Sequence, residues 1–259
     1  IKKRKLILDL ISYNPIEWCK LGWERKDNRY VYDEIFIENN HYEFEAGEEN
    51  IKKYLMEKFP HIKEKAFNEY FNLIKKIAKK DLFFMLKIFP YKFLSKFLCW
   101  FDRDYEYYCK ENAYDVVSKI FNDKELISVL FGQFGDYGIT PKKASFFIHA
   151  SIVNHYLEGG WFPKGGTGVI ANEICKTIKH YGGEVLVGKK VDKILVSNNN
   201  VYGVRMENGD NIYCNTVVSA TGLKNTFTRL VNPTDKTKVY QNILDNIKSS
   251  VQHMYCFVK

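Results

Sequence analysis

The sequence predicts an α/β protein in which a mainly helical first part is followed by a smaller part containing a β-meander. Apolar residues recur at helical spacing over much of residues 48–157. From residue 167 onward, a helix pattern is followed by short strand patterns that are joined by tight turns. A parallel sheet with helical crossovers alone would not contain such a meander. The predicted class is therefore α/β with an α+β insert.

The composition is typical of a globular protein with a substantial core. The 259 residues are 46% hydrophobic, 27% charged and 16% aromatic, and the net charge is +8. Although basic proteins often bind nucleic acid, the lysines here are spread along the chain, so we expect no nucleic-acid partner. The six cysteines form no CxxC pair and fit no zinc-site spacing, so no metal site is predicted.

The patterns before residue 80 predict one β-hairpin and two helices. Residues 34–45, EIFIENNHYEFE, contain two β-prone runs on either side of Asn39-Asn40, which predicts a hairpin that turns there. Residues 48–80 predict two helices that are separated at Phe59-Pro60.

Helical patterns continue beyond residue 110. They cover residues 111–134, after which Thr140 and Pro141 predict a helix start, with a capping hydroxyl followed by proline at the first helical position. This helix is predicted to end near His155.

Residues 81–101, DLFFMLKIFPYKFLSKFLCWF, are unusually rich in aromatic and aliphatic side chains. Lys87, Lys92, Lys96 and Pro90 argue against a transmembrane helix. Two interpretations stay open. The segment either lies in a membrane interface with its lysines reaching the headgroups, or forms a helical cap over an apolar pocket.

The patterns after residue 166 are the clearest in the chain. Thr167 is predicted to cap a helix that ends at Gly182-Gly183, and residues 184–188, EVLVG, are predicted to form a strand. Three strands with Asn-containing turns follow over residues 190–214. Residues 216–222, TVVSATG, then predict a buried apolar strand that ends in small residues.

The standard phosphate-binding fingerprints, GxGxxG and GxxxxGK[ST], do not occur in this sequence. The small residues Ala220, Thr221 and Gly222 would allow another group to approach the backbone closely. That would suit a nucleotide lying against the carboxyl end of a strand. A tight turn between a strand and a helix accounts for the glycine equally well.

Two longer segments resemble the retinol saturase family. They are DYGITPKKASFFIHASIVNHYLEGGWFPKGG at residues 136–166 and NIYCNTVVSATGLKNTFTRLV at residues 211–231. That family belongs to a larger group of flavin enzymes with the phytoene desaturases and carotenoid isomerases. The group shares an aromatic-Pro-x-Gly-Gly motif, a helix, Gly-Gly, valine-rich strands and a VVS-A-G strand. The resemblance covers most of the chain and is strongest over residues 136–231.

The resemblance implies an interior part of a two-domain FAD-dependent oxidoreductase of the doubly wound, glutathione-reductase-like type. Residues 1–160 would form a mainly helical domain facing substrate and membrane, 161–232 the middle of the FAD-binding domain, and 233–259 a return to the substrate domain. The family's GxGxxG and its C-terminal Gly-Asp segment are not in these residues. A fragment without them is expected to be inactive and to hold FAD poorly. The alternative is a binding module or an inactive relative.

The resemblance also implies site residues. Val191 would pair with the adenine through its backbone, and the turn at residues 220–222 would pass close to the nucleotide. The loop at residues 164–166 would lead to the flavin ring and the substrate channel. The residues implied in cofactor binding are thus Val191, Ala220, Thr221, Gly222, Lys164, Gly165 and Gly166.

The implied reaction adds a hydride from reduced FAD to one end of a polyene double bond and a proton to the other. Tyr137, Tyr156 and His155 are candidate proton donors. The family further implies a retinol-like polyene or isoprenoid substrate, NAD or NADP as electron source, and association with the endoplasmic reticulum membrane. The alternatives are a carotenoid desaturase or isomerase, and a flavin-free, membrane-associated lipid-binding module.

Overall fold

A computed structural model describes residues 2–80, 93 and 103–247. They form a mixed α/β structure, which confirms the predicted class. The chain divides into two compact units, one up to Asn172 and one from Glu173. The domain boundaries after residues 160 and 232 stay a prediction. Apart from Phe93, the aromatic segment at 81–101 lies outside the described residues.

The first unit begins with a helix and contains two small antiparallel sheets. One sheet pairs β1 with β5, and the other has the strand order β2-β3-β4. The elements are α1 Lys2–Ile11, β1 Trp18–Lys20, β2 Trp23–Glu24, β3 Tyr30–Ile37, β4 Asn40–Glu45 and β5 Trp161–Pro163.

The predicted hairpin is confirmed as the β3–β4 pair, but its turn lies one residue earlier than expected. Ile37 pairs with Asn40, so the turn residues are Glu38 and Asn39, and Glu38 adopts a φ of 52°. The turn therefore begins directly after Ile37, the last residue of the β-prone run, and Tyr42 is buried on β4 opposite Ile35.

Helices form the greater part of the first unit. The predicted helix pair and its break at Phe59-Pro60 are confirmed, and the pattern at 111–134 forms two helices and a 3₁₀ turn. The elements are α2 Glu48–Lys58, α3 Glu64–Ala78, α4 Arg103–Lys110, α5 Ala113–Ile120, α6 Lys124–Leu130, the 3₁₀ turn Phe134–Tyr137 and α7 Phe146–Tyr156.

The predicted helix start at Thr140-Pro141 is wrong. Helix α7 begins at Phe146, and the side chain of Ser145 caps it by accepting a hydrogen bond from the N–H of Ile148. Residues 141–144 instead form a turn whose carbonyl groups accept hydrogen bonds from the first N–H groups of α5. Ala113 N–H donates to Ala144 O at 2.8 Å, and Tyr114 N–H donates to Pro141 O at 3.2 Å.

The core of the first unit lies where α3 packs against α7. Aromatic side chains dominate it, and Tyr70 and Phe121 are in edge contact with ring centroids 5.7 Å apart. Its largest fully buried apolar side chains include Phe67, Tyr70, Ile74, Tyr105, Phe121, Leu126 and Phe146.

The second unit is built on an antiparallel meander, β6-β7-β8, as predicted. Asn198 and Asn199 form the first turn with φ values of 50° and 63°, and Gly209 lies in the second with a φ of 91°. Helix α8, which crosses the unit boundary, precedes the meander. The elements are α8 Gly168–His180, β6 Val191–Ser197, β7 Asn200–Met206, β8 Asn211–Tyr213, α9 Leu223–Asn225, the π-helical turn Thr226–Leu230 and α10 Asp235–Asp245.

The predicted strands at 184–188 and 216–222 are wrong in this structure. Neither segment pairs with any described strand, and Val187 and Val218 are 87% and 91% exposed. A strand forms only where a neighbour satisfies its backbone groups, so an apolar, β-prone sequence is not sufficient by itself. Helix α8 likewise has no buried residue, and Tyr181, which follows its last residue, is 82% exposed.

Candidate functional site

The Phe-Pro-Lys-Gly-Gly loop at residues 162–166 is supported by a strand from near the start of the chain. Strand β1 pairs antiparallel with β5, so that Trp18 lies opposite Pro163 and Cys19 opposite Phe162. A bond from Leu21 N–H to Gly160 O, 2.9 Å long, extends this pairing. The strand pairing therefore fixes the position at which the loop leaves β5.

Lys164 is joined to Glu17 by both backbone and side chain. Its N–H donates to Glu17 O, and its Nζ donates to Glu17 Oε2, each at 2.9 Å. Both side chains are exposed, at 72% and 74%. The hydrogen bond raises the pKa of Lys164 and lowers that of Glu17. Sequence reasoning missed Glu17, because it lies 147 residues from its partner and no local pattern marks it.

The two glycines that follow Lys164 occupy conformations that other residues rarely adopt. Gly165 and Gly166 have φ values of 89° and 95°. A Cβ at Gly165 would lie 3.2 Å from a methyl group of Val169, whereas a Cβ at Gly166 would have no neighbour within 4 Å. Gly166 therefore leaves open space beside the backbone, where a flat ligand could approach closely.

In the second unit, strand β6 begins at Val191, which pairs with Met206 of β7. Beside it lies a surface pocket of about 340 Å³. An ion pair between Lys190 Nζ and Glu207 Oε1, 2.7 Å long, lies at this pocket. The pocket is lined by Gly188, Lys189, Lys190, Met206, Glu207 and Asn208. The backbone contact to adenine stays a prediction for Val191.

Residues 219–222 form an exposed turn that leads into α9. Gly222 adopts a φ of 86°, and a Cβ there would have no neighbour within 4 Å. The hydroxyl oxygens of Ser219, Thr221 and Thr226 lie 2.7–3.3 Å from one another beside it. Ala220, Thr221 and Gly222 are thus exposed at a turn, and not at the end of a buried strand.

The predicted cofactor residues are divided between the two units. Lys164, Gly165 and Gly166 lie in the first, and Val191 and residues 220–222 lie in the second. Lys164, Gly165 and residues 220–222 are exposed, and Gly166 and Val191 are half-buried. Each group has glycine or backbone available for a close approach. Their shared role in binding one cofactor stays a prediction.

The three candidate proton donors differ in surroundings. Within the described part of the chain, the buried hydroxyl of Tyr137 has no hydrogen-bond partner, and burial raises its pKa. Tyr156 stacks on Tyr32 with ring centroids 6.0 Å apart. His155 is exposed and lies edge-on to Tyr156. No donor is singled out by this geometry, and the assignment stays a prediction.

The core contains a buried histidine that sequence reasoning missed. His149 is 1% exposed, and its Nε2 lies 3.0 Å from the hydroxyl of Tyr70. Burial lowers the pKa of His149 to about 3, so the ring is neutral at pH 7. A cavity of about 20 Å³ nearby, lined in part by Tyr70 and Gln133, has room for roughly one water molecule.

A buried carboxylate at the end of β4 is held by ion pairs. Glu45 is 1% exposed and contacts Arg29 at 2.9 Å and Arg25 at 3.3 Å. Burial raises its pKa, against the lowering effect of both arginines. The ligand atoms of Glu34, His41 and Glu43 lie within 4.8 Å of one another, but Arg25 already pairs with Glu43. Their grouping is therefore accounted for by ion pairs.

Among the helices of the described residues, none combines the length and the apolar character that a membrane span requires.

The class of protein is established by comparison with known families. Residues 42–251 match the family described as flavin containing amine oxidoreductase. The match includes every residue that was predicted to contact a cofactor. The chain belongs to this family, and the predicted resemblance to flavin enzymes is confirmed.

Comparison with individual proteins shows which flavin enzymes the chain is similar to. The chain is 33% identical to an all-trans-retinol 13,14-reductase from Danio rerio over 89% of this chain and 39% of that protein. It is 30% identical to an inactive all-trans-retinol 13,14-reductase from Danio rerio over 88% and 38%. A chloroplastic prolycopene isomerase from Daucus carota is 29% identical over 73% and 31%. The chain thus spans about two fifths of the length of the reductases it matches.

Proposed function

We propose that the chain is part of an FAD-dependent oxidoreductase that saturates a carbon–carbon double bond of retinol or a related polyene. The observation that carries this proposal is the match of residues 42–251 to a flavin family, joined to 33% identity with a retinol reductase over 89% of the chain. In this proposal the protein has two domains of the glutathione-reductase-like type, and these residues contribute part of each.

FAD, when bound, would supply hydride-transfer chemistry to one end of the double bond. Gly166 leaves open space in which the cofactor could approach the backbone closely. The ammonium group of Lys164 lies near this space and is hydrogen-bonded to Glu17. Val191 and the turn at residues 220–222 would contact the nucleotide half. In this proposal these residues bind and orient the cofactor, and none of them takes part in bond breaking.

The second end of the double bond requires a proton. Tyr137 carries its proton at neutral pH, as tyrosines ordinarily do. Its buried hydroxyl has no partner in the described part of the chain, so its proton is not committed to another group there. Burial raises its pKa, which makes it a weaker acid than an exposed tyrosine. Tyr156 and His155 remain the other candidates, and they lie next to each other at the end of α7.

The remaining parts of the proposal come from the family resemblance of the sequence. NADH or NADPH would return two electrons to the oxidised flavin after each turnover. The substrate would be an apolar polyene reached from a membrane surface, and the endoplasmic reticulum would be the location. The basic net charge of +8 suits an anionic membrane surface.

The test uses the full-length protein. Purified protein should be yellow with a flavin absorbance spectrum, and anaerobic incubation with all-trans-retinol and a reductant should give a product with one double bond fewer. A colourless protein would instead support a flavin-free lipid-binding module. A yellow protein that leaves retinol unchanged would place it with the relative that is named inactive.

A second candidate function is desaturation or isomerisation of a carotenoid. It is favoured by the 29% identity with a prolycopene isomerase over 73% of this chain. The same preparation, incubated with a carotene, would then dehydrogenate it or change its cis–trans geometry. Higher identity and greater coverage favour the reductase.

A further inference from the structure

We propose that Thr226 is a positioning residue for the turn at residues 219–222, which it holds in the conformation that receives the nucleotide. This inference rests on the proposed function, because it concerns the same cofactor site. Thr226 lies outside the TVVSATG segment that the sequence singled out, in the π-helical turn that follows α9.

The hydroxyl of Thr226 contacts three other residues of the turn. It donates to Gly222 O at 2.9 Å, and the backbone N–H of Thr226 donates to the same oxygen at 3.0 Å. Its oxygen lies 2.7 Å from the hydroxyl of Ser219 and 3.3 Å from that of Thr221. A hydroxyl has one proton to donate, so Thr226, whose proton goes to Gly222 O, accepts a hydrogen bond from Ser219, while Thr221 can donate to either of the other two.

Both carbonyl groups at the end of the turn are occupied. Asn225 Nδ2 donates to Thr221 O at 3.0 Å, and Thr226 donates to Gly222 O. No acceptor in the described part of the chain takes a hydrogen bond from the N–H of Ala220, Thr221 or Gly222. The carbonyl groups are thus held by the following helix, while the N–H groups of the same three residues have no intramolecular partner there.

Apart from the Asn225 bond, few contacts in the described part of the chain constrain this turn. Gly222 has a φ of 86° and open space around it, and glycine has more conformations to lose than any other residue. No strand partner constrains residues 216–222 among the residues described. A ligand that met a mobile turn would have to order it on binding, at a cost in affinity. The hydrogen bonds of Thr226 order the turn before the ligand binds, so that binding does not bear this cost.

The first test uses the 259-residue chain and needs no cofactor. Thr226→Val keeps the shape and removes the hydroxyl, whereas Thr226→Ser keeps the hydroxyl. Thr228→Val is the matched control, because Thr228 makes the same kind of bond, to Lys224 O at 2.7 Å, without touching the turn. The amide NMR resonances of residues 220–222 should shift and broaden in Thr226→Val only, with Thr226→Ser and Thr228→Val unchanged.

The second test measures the flavin dissociation constant of the full-length variants by fluorescence titration. Thr226→Val should bind flavin roughly three- to tenfold more weakly, as loss of a shared hydrogen-bonding hub predicts, and Thr226→Ser should restore the affinity. Equal affinity and unchanged turn resonances in Thr226→Val would overturn the inference and leave the proposed function intact. Full-length protein that binds no flavin would instead refute the proposed function, while the resonances still report on the turn.

Discussion

Glu17 and Lys164 are joined by two hydrogen bonds of 2.9 Å although 147 residues separate them in sequence. The backbone bond continues the pairing of β1 with β5, and the side-chain bond engages the ammonium group next to Gly165 and Gly166. The pKa of Lys164 is therefore raised by a carboxylate that lies near the start of the chain.

Glu17→Gln should lower the pKa of Lys164 without disturbing the strand pair, because the backbone bond remains. Lys164 should then react faster with an acylating reagent, measured by mass spectrometry, while the melting temperature stays the same. The matched control is Glu207→Gln, which removes the corresponding exposed partner of Lys190. It should speed the labelling of Lys190 and leave Lys164 unaffected. An unchanged Lys164 rate in Glu17→Gln would show that the ion pair does not form in solution.

Gly166→Ala and Gly182→Ala form a pair that separates backbone strain from function. Both glycines have positive φ, 95° and 80°, and open space where a Cβ would lie. Each substitution should lower the free energy of unfolding by about 1–2 kcal/mol, measured by urea denaturation. Only Gly166→Ala should weaken flavin binding to the full-length protein. Equal flavin affinity in the two variants would remove Gly166 from the site.

His149 should make stability fall in acid. Its pKa is about 3 in the folded chain and about 6.5 in the unfolded chain. Between these two pH values, the unfolded state binds a proton at this histidine and the folded state does not. The stabilising contribution is complete above pH 6.5 and is lost progressively toward pH 3. Between pH 7 and pH 5 it should fall by about 2 kcal/mol.

Urea unfolding of the 259-residue chain at several pH values measures this slope, with His149→Gln as the comparison. The variant is less stable at pH 7 but lacks this titration, so the difference between the two proteins should shrink by the same amount as the pH falls. Glu45, whose raised pKa acts in the opposite direction, is common to both and cancels. A difference that does not vary with pH would contradict burial of a neutral His149.

The segments at 184–187 and 216–220 should exchange their amide protons rapidly in the 259-residue chain. They lack strand partners among the described residues, whereas Val204 in β7 pairs with both β6 and β8. Deuterium uptake followed by mass spectrometry should show fast exchange in the two segments and slow exchange at Val204. In the full-length protein, a doubly wound sheet would protect both segments. Slow exchange in the short chain would mean that they pair within it.

Local patterns were sufficient to predict elements whose partners are close in sequence. The β3–β4 hairpin, the break at Phe59-Pro60 and the meander at β6–β8 all depend on adjacent residues, and all were correctly predicted. The start of α7 was missed because the carbonyl groups of Pro141 and Ala144 are drawn to α5, which is a tertiary effect. The strands at 184–188 and 216–222 failed for the same reason, since strand formation depends on a neighbour.

The candidate site was predictable only in part. Its glycines and small residues are visible as motifs, and their positive φ values agree with a role in close approach. Glu17 belongs to no motif, and Thr226 lies in the segment at 211–231 without any feature that marks its hydroxyl. Both were missed because each acts through a contact that only folding creates. His149 was overlooked because its helix gives no sign that one polar residue is fully buried.

The central claim is that these residues belong to a flavin enzyme that saturates a polyene. The most direct measurement mixes anaerobically reduced, full-length protein with all-trans-retinol and follows flavin absorbance and product mass together. The account predicts that the flavin reoxidises in proportion to a product that has gained two hydrogens. Protein without flavin, or flavin that stays reduced while retinol is recovered unchanged, would contradict it.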